Sequence, residues 1–265
     1  MSISEKLITI AENQQKVFDA GRNSGGGGSY DEGYNNGYSD GYDSGYYQGL
    51  DSGYSEGQQS EYDRFWDNFQ DYGNRTNYTH AFAGLGWTDE TFKPKHTIRV
   101  VGWLERMFYN CNIKELILSG VTDFSAATDC RYMFTDAMTE SIDVVDLSNI
   151  AEIRDPFYYV PNLHTIGKVK LADDGNQTFS PDWMYTTKLV NLTIEGKFGN
   201  DVSFWTCSRL SRESIESIIS ALSTSVSGKT LTLKQVAVTN AFGSTTASAW
   251  TSLVNSRSNW TISLV

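Results

Sequence analysis

Ile113-Lys114-Glu115-Leu116-Ile117-Leu118 sets the reading of the chain: an apolar residue, two spacers, then two apolar residues flanking a third spacer. The phrase returns as Ile142, Val145, Leu147; as Ile166, Val169, Leu171; as Leu189, Leu192, Ile194; and, in reduced form, as Leu231 and Leu233. The central apolar residues at 116, 145, 169, 192 and 231 give steps of 29, 24, 23 and 39 residues, which is the spacing of a repeat solenoid. Each unit supplies a short parallel strand whose alternate residues enter a narrow core. No unit buries its apolar face alone, so the units must stack.

A second recurrence runs in phase with the first. Met107-Phe108-Tyr109-Asn110-Cys111, Met133-Phe134-Thr135-Asp136-Ala137, Pro156-Phe157-Tyr158-Tyr159-Val160, Met184-Tyr185-Thr186-Thr187 and Phe204-Trp205-Thr206-Cys207 each precede the next strand. Two coupled landmarks make coincidence a poor explanation.

Residues 1–21 place Ile3, Leu7, Ile10, Gln14 and Val17 at steps of 4, 3, 4 and 3, the seam of a coiled coil, with Ser2 and Glu5 at capping-box spacing. The seam is short, so an amphipathic helix docked on another protein is the competing reading. Residues 22–60 hold the Gly25 to Gly28 run and then a strict four-residue repeat, Tyr30, Tyr34, Tyr38, Tyr42, Tyr46, Leu50 and Tyr54, each followed by glycine three positions on. Glycine at every fourth position costs about 1 kcal/mol each against alanine in a helix, which favours a solvated spacer. The strict period favours a packed helix, and both readings stand.

In residues 61–103, Tyr62, Phe65, Trp66 and Phe69 mark an aromatic helix face that would cap the solenoid of residues 104–210. Residues 211–265 read as a C-terminal cap: a helix from near Ser211 carrying Ile215, Ile218, Ile219 and Leu222, a strand Thr230 to Leu233, a helix with Trp250, Leu253 and Val254, and a last strand from Trp260 to Leu264. The expected fold class is therefore α/β, with a coiled-coil-like N-terminal helical region, a Gly/Tyr spacer and a solenoid of short parallel strands ending in a helix/strand cap.

The formal net charge of -11 argues against nucleic acid, which requires a basic patch. No run of eighteen apolar residues is present, so membrane insertion is not expected. Residues 1–21 lack the basic-then-apolar order of a secretory signal, and a route to a cell exterior through assembly into a particle is expected instead. Cys111, Cys130 and Cys207 have neither an even count nor Cys-x-x-Cys spacing, and are expected to be buried and inert.

His80, His96 and His164 are isolated, and no nucleophile elbow or metalloprotease helix motif occurs. Asp173-Asp174-Gly175-Asn176 has calcium-loop ingredients but no downstream bidentate Glu, and reads as a turn. No catalytic residue, cofactor or metal is expected. Binding is better supported: residues between the core positions of parallel strands line up as a surface, here Ile117, Asp146, Lys170, Thr193 and Thr232, flanked by Glu115, Lys168, Asn191 and Lys234. Such a mixed polar stripe suits a carbohydrate or a protein.

The Met-Phe-x-x-Cys block followed by a Leu-x-x-Leu-x-Leu-Ser strand, with Val121-Thr122-Asp123-Phe124-Ser125-Ala126-Ala127-Thr128 before the next Met-Phe, resembles the BspA-type leucine-rich repeats of bacterial surface and phage proteins. The stretch from Glu61 through Gly73-Asn74-Arg75, Ala81-Phe82-Ala83-Gly84, Gly86-Trp87 and Phe92-Lys93-Pro94-Lys95 resembles a block in tail-associated proteins of phages and prophages of Gram-positive gut bacteria. The resemblance implies a non-enzymatic virion protein, tail-associated or a fibre, made in the bacterial cytoplasm. It would attach to other virion proteins through its N-terminal region, form a homo-oligomer with a trimer favoured, and display its repeats to a host cell-surface glycan or protein. A bacterial cell-surface adhesin and a glycan depolymerase are the alternatives.

Overall fold

A computed structural model describes residues 81–84, 91–94, 97–120 and 122–265. The coiled-coil seam, the Gly/Tyr repeat and the aromatic helix expected at Tyr62 to Phe69 lie outside these residues. Strands β1 (Thr91–Phe92), β2 (Ile98–Trp103), β3 (Glu115–Leu116), β4 (Thr122–Asp129), β5 (Ser141–Asp146), β6 (Glu152–Ile153), β7 (Thr165–Lys170), β8 (Thr178–Phe179), β9 (Asn191–Glu195) and β10 (Val202–Phe204) follow in order. They are succeeded by helix α1 (Arg212–Ser220), strand β11 (Lys229–Leu233), helices α2 (Gln235–Phe242) and α3 (Ser248–Asn255), and strand β12 (Trp260–Leu264). The largest sheet has the order β1-β3-β5-β7-β9, and β2-β4, β6-β8 and β10-β11-β12 form three more.

All the strand pairings among the described residues are parallel, which no tight hairpin can produce. The chain therefore winds as a parallel-strand β-solenoid of about 5 turns. Among the described residues, helices occur only in the C-terminal part. Between residues 104 and 210 the described residues return from strand to strand by turns, as the repeat implies, and by the short strands β4, β6 and β8.

The repeat is more regular than its sequence phase suggests. Phe92 pairs with Leu116, Leu116 with Ile142, Ile142 with Ile166 and Ile166 with Leu192, giving steps of 24, 26, 24 and 26 residues. Leu116 and Leu192 therefore align with Ile142 and Ile166, and not with Val145 and Val169 as the six-residue phrase implies. The cause is a bulge: Ile166 pairs with Leu192 and Val169 with Ile194, so Gly167 and Lys168 oppose Thr193 alone. β5 and β7 share the extra residue and stay in register with each other. One core position, just before β5, is hidden from any apolar search because Thr139 fills it, fully buried, with its hydroxyl donating to the Ile113 carbonyl at 2.9 Å.

Opposite this sheet, the Met-Phe blocks form five-residue turns bounded by left-handed residues. Arg106, Tyr132 and Asp155 open them and Asn110, Asp136 and Tyr159 close them, with φ between 46° and 57°. Such a backbone costs roughly 1–2 kcal/mol per non-glycine residue. It is held by bonds from coil to coil: Arg106 N–H donates to the Arg131 carbonyl at 3.0 Å, Phe108 to Met133 at 2.8 Å, Asn110 to Thr135 at 3.0 Å and Asp136 to Tyr159 at 3.1 Å.

Each turn delivers one ring to the core. Phe82, Phe108, Phe134 and Phe157 stack at centroid distances of 5.2, 5.4 and 5.2 Å, and Trp183 and Phe204 continue the column edge-on. The column begins at Phe82, within the segment read from sequence as a cap. Three residues beyond the ring, Cys111, Ala137, Val160, Thr186 and Cys207 occupy one buried row. Burial pushes the Cys111 thiol up to about 12 and the Cys207 thiol up to about 11. Cys130 is likewise buried, its thiol pushed up to about 12. These three groups are small packing residues in an apolar environment.

The long sheet is closed by a helix in place of a further strand. Ser211 caps α1, its side chain accepting from the Ser214 N–H. Ser214 Oγ accepts the Leu192 N–H at 2.8 Å and donates to the Val190 carbonyl at 2.8 Å, while Ser217 Oγ accepts the Ile194 N–H at 2.9 Å. Two serines one turn apart thus satisfy the edge amides of β9, which covers an edge that invites pairing with another chain. Ile215, Ile218 and Ile219 are buried beside Ser214 on the same side of the helix. Beyond α1, β11 and β12 extend the β10 sheet, and Trp260 Nε1 donates to the Ser223 carbonyl at 2.8 Å.

Candidate functional site

The stripe expected on the sheet face divides among several rows and two sheets. Glu115 and Asn191 lie in one row with Thr91, Ser141 and Thr165, where Thr91 Oγ1 donates to Glu115 at 3.2 Å and Asn191 Nδ2 to Thr165 Oγ1 at 3.2 Å. Asp146 and Lys170 share a row with Glu195, and the Lys170–Asp146 pair is 3.6 Å apart. Lys168 stands across from Val144 and reaches Glu195 at 2.5 Å, and its hydrogen bond holds the Glu195 carboxyl below the usual carboxylate range. Ile117 follows β3 and is half-buried; Thr193 is exposed opposite the bulge.

Thr232 belongs to the other sheet, paired with Ser203 and Ser263, and Lys234 precedes α2 beside an open depression with Val236 and Val265. The sheet face is thus a self-paired polar surface whose exposed ion pairs contribute little energy. Its organising group is Asp143, which sequence reasoning passed over. The Asp143 carboxylate accepts from the Leu118 N–H at 2.7 Å, the Ser119 N–H at 3.1 Å, the Ser119 hydroxyl at 2.5 Å and the Val144 N–H at 2.7 Å.

A different feature crosses the coils over the Met-Phe turns. Tyr132, Tyr158, Tyr185 and Trp205 come from four successive coils, with ring centroids 6.1, 5.4 and 5.8 Å apart, and Tyr159 joins at 6.5 Å from Tyr185. The Arg106 guanidinium sits over the Tyr132 ring at 5.5 Å, at one end of the row. Tyr158, Tyr159 and Trp205 expose 39, 53 and 39 % of their surface, an unusual share for neighbouring large aromatic side chains. Trp205 Nε1 donates to Asp182 at 2.9 Å, which orients the indole. The hydroxyls of Tyr132, Tyr158, Tyr159 and Tyr185 have no hydrogen-bond partner among the described residues, nor has the Asp136 carboxylate.

This ribbon escaped the sequence reading for a geometric reason. Its members occupy different offsets from the buried ring of their own coil, two before it for Tyr132 and one or two after it for the others. Tyr132 and Tyr159 are themselves left-handed residues, so the turn redirects their side chains. The usable signal was aromatic density around each buried Phe or Trp, and no single repeat position carries it.

Asp174 accepts from the Asn176 N–H and side-chain amide, both at 3.0 Å, the geometry of an Asx turn. Among the described residues no group of three His, Cys, Asp or Glu side chains is arranged to hold a metal ion. No helix among them is long and apolar enough to cross a membrane. No family model, curated protein or solved structure matches the chain.

Proposed function

We propose that the chain is a non-enzymatic structural protein of a phage or prophage particle, tail-associated or a fibre, with BspA-type leucine-rich repeats that display a surface to a host cell-surface glycan or protein. The observation that carries the binding part is the exposed aromatic ribbon, because rings of this size stay uncovered in a rigid scaffold chiefly where a partner is to cover them. The virion part rests on the resemblance of the Met-Phe blocks and of the Glu61 to Lys95 stretch. Particles lacking the gene, viewed in negative stain, are expected to miss an appendage and to adsorb poorly to host cells. Intact particles that adsorb fully would overturn this reading.

The assembly belongs to the same proposal. Ile3, Leu7, Ile10 and Val17 give a seam that one chain alone leaves in water, and Gln14 interrupts it as a register-setting polar residue would. The full chain is expected to be a homo-oligomer, a trimer, held through residues 1–60. Light scattering checks this by comparing it with a chain that starts at Ser60, which should be monomeric. A monomeric full-length protein, or an oligomer that survives the truncation, refutes the assignment.

A further inference from the structure

We infer that the Tyr/Trp ribbon is a platform for a linear, uncharged glycan laid across the coils, an inference that rests on the display reading above. The rise of one coil is set by the strand spacing, about 4.8 Å. That is close to the advance of one pyranose unit in an extended chain, so each successive ring can meet a successive sugar. Tyr158 and Tyr185 are tilted by 38°, Tyr132 and Trp205 meet them edge-on at 79° and 77°, and Arg106 covers one face of Tyr132, so no ring of the row is sandwiched face to face between two others. A Tyr or Trp face offers its π surface to the C–H face of a sugar, and the unpartnered phenols and Asp136 supply donors and acceptors for the hydroxyls at the sugar's edge.

Other occupants fit less well. An extended peptide is captured by adding a strand to a free backbone edge, but the N–H groups of Phe108, Asn110 and Asp136 in these turns already bond to the next coil. A polyanion such as a nucleic acid needs a cationic track. From residue 91 onward the chain has 16 Lys and Arg against 17 Asp and Glu, and the ribbon is bordered by Asp136, Asp155 and Asp182. A protein partner would anchor in desolvated pockets, whereas these rings form a half-exposed row with free hydroxyls.

The test uses the full chain, with Trp fluorescence and calorimetry reporting binding. The probes are cello-oligosaccharides and N-acetylchito-oligosaccharides of two to six sugars, with polygalacturonate as the anionic comparison. At least one neutral series is expected to bind, with affinity rising to about four sugars, the number of rungs from Tyr132 to Trp205, and then levelling. Replacing Tyr158→Ala and Trp205→Ala together should weaken binding at least about tenfold per ring removed. The pair Tyr158→Phe and Tyr185→Phe, which keeps the rings and drops the hydroxyls, should weaken it only a few-fold. Far-ultraviolet circular dichroism and an unchanged melting profile establish that each variant is folded.

Absence of binding to both neutral hexasaccharides, tighter binding of polygalacturonate, or indifference to the double alanine substitution overturns the inference. Should particles carrying the wild-type chain need it to adsorb while neither neutral series binds, the ribbon assignment fails and the display reading stands. Normal adsorption by particles without the gene removes the display reading, and the titration still decides the chemistry of the ribbon.

Discussion

Phe134→Ala is expected to lower the unfolding free energy by about 4 kcal/mol, at the upper end of what single core truncations do. The ring is fully buried and sandwiched between Phe108 at 5.4 Å and Phe157 at 5.2 Å, nearly parallel to both. Truncation forfeits the apolar transfer energy, leaves a cavity in a column with no bulk behind it, and breaks two stacking contacts worth roughly 0.5–1.5 kcal/mol each. Because each coil touches only its neighbours, the loss also uncouples the coils on either side. Urea unfolding followed by circular dichroism should show the drop in midpoint together with a broader transition. A loss under about 1 kcal/mol would mean that the phenylalanine column is not what holds the turns together.

The second large effect is expected at Gly196. Its φ is +101°, and a Cβ built there would overlap the Leu171 carbonyl oxygen, which belongs to the preceding coil. Gly196→Ala combines a disfavoured backbone with a backbone clash that no side-chain rotation relieves, so about 3 kcal/mol or more should be lost. Gly243 provides the control: φ is +81° at the C-terminus of α2, but a Cβ there meets nothing within 4 Å. Gly243→Ala should cost only about 1 kcal/mol, the backbone penalty alone. Parallel melts of the two variants separate close packing from conformation. Equal losses would show that the approach of coil to coil at Gly196 is looser than the geometry indicates.

The solenoid was legible because burial forces the same residue types to recur wherever coils stack. Its phase was not. The bulge at Gly167 and Lys168 widens the step between inward residues, so Ile142 to Val145 imitates the spacing of Ile113 to Leu116, and a one-dimensional template fits both. Thr139 removed an apolar landmark by satisfying its hydroxyl on the Ile113 carbonyl. The α1 start at Ser211 and the last strand at Trp260 follow the sequence closely, since a cap residue and a strict alternation are local signals. Helix α2 was not anticipated, because Gln235 to Phe242 has little amphipathic contrast and a lysine with no side-chain bond at its start.

The candidate site was legible only in its ingredients. Counting residues between core positions found an outward face, and charges on such a face pair with each other across strands, as Lys168 does with Glu195. The ribbon depends on left-handed residues at Tyr132 and Tyr159 turning side chains from different offsets into one line, and backbone handedness at a tyrosine has no signature in composition.

The serine-studded helix at the end of the long sheet has a consequence for how such a gene can change. β9 hands its edge amides to Ser214 and Ser217, and every coil before it offers the same backbone pattern to whatever lies on either side. Copy number is then a free variable: an in-frame duplication spanning one step, such as Ile142 to Ile166, adds a rung and leaves both termini of the stack intact. Reach can therefore evolve, or be engineered, in increments of about 4.8 Å by recombination alone, without inventing a new end.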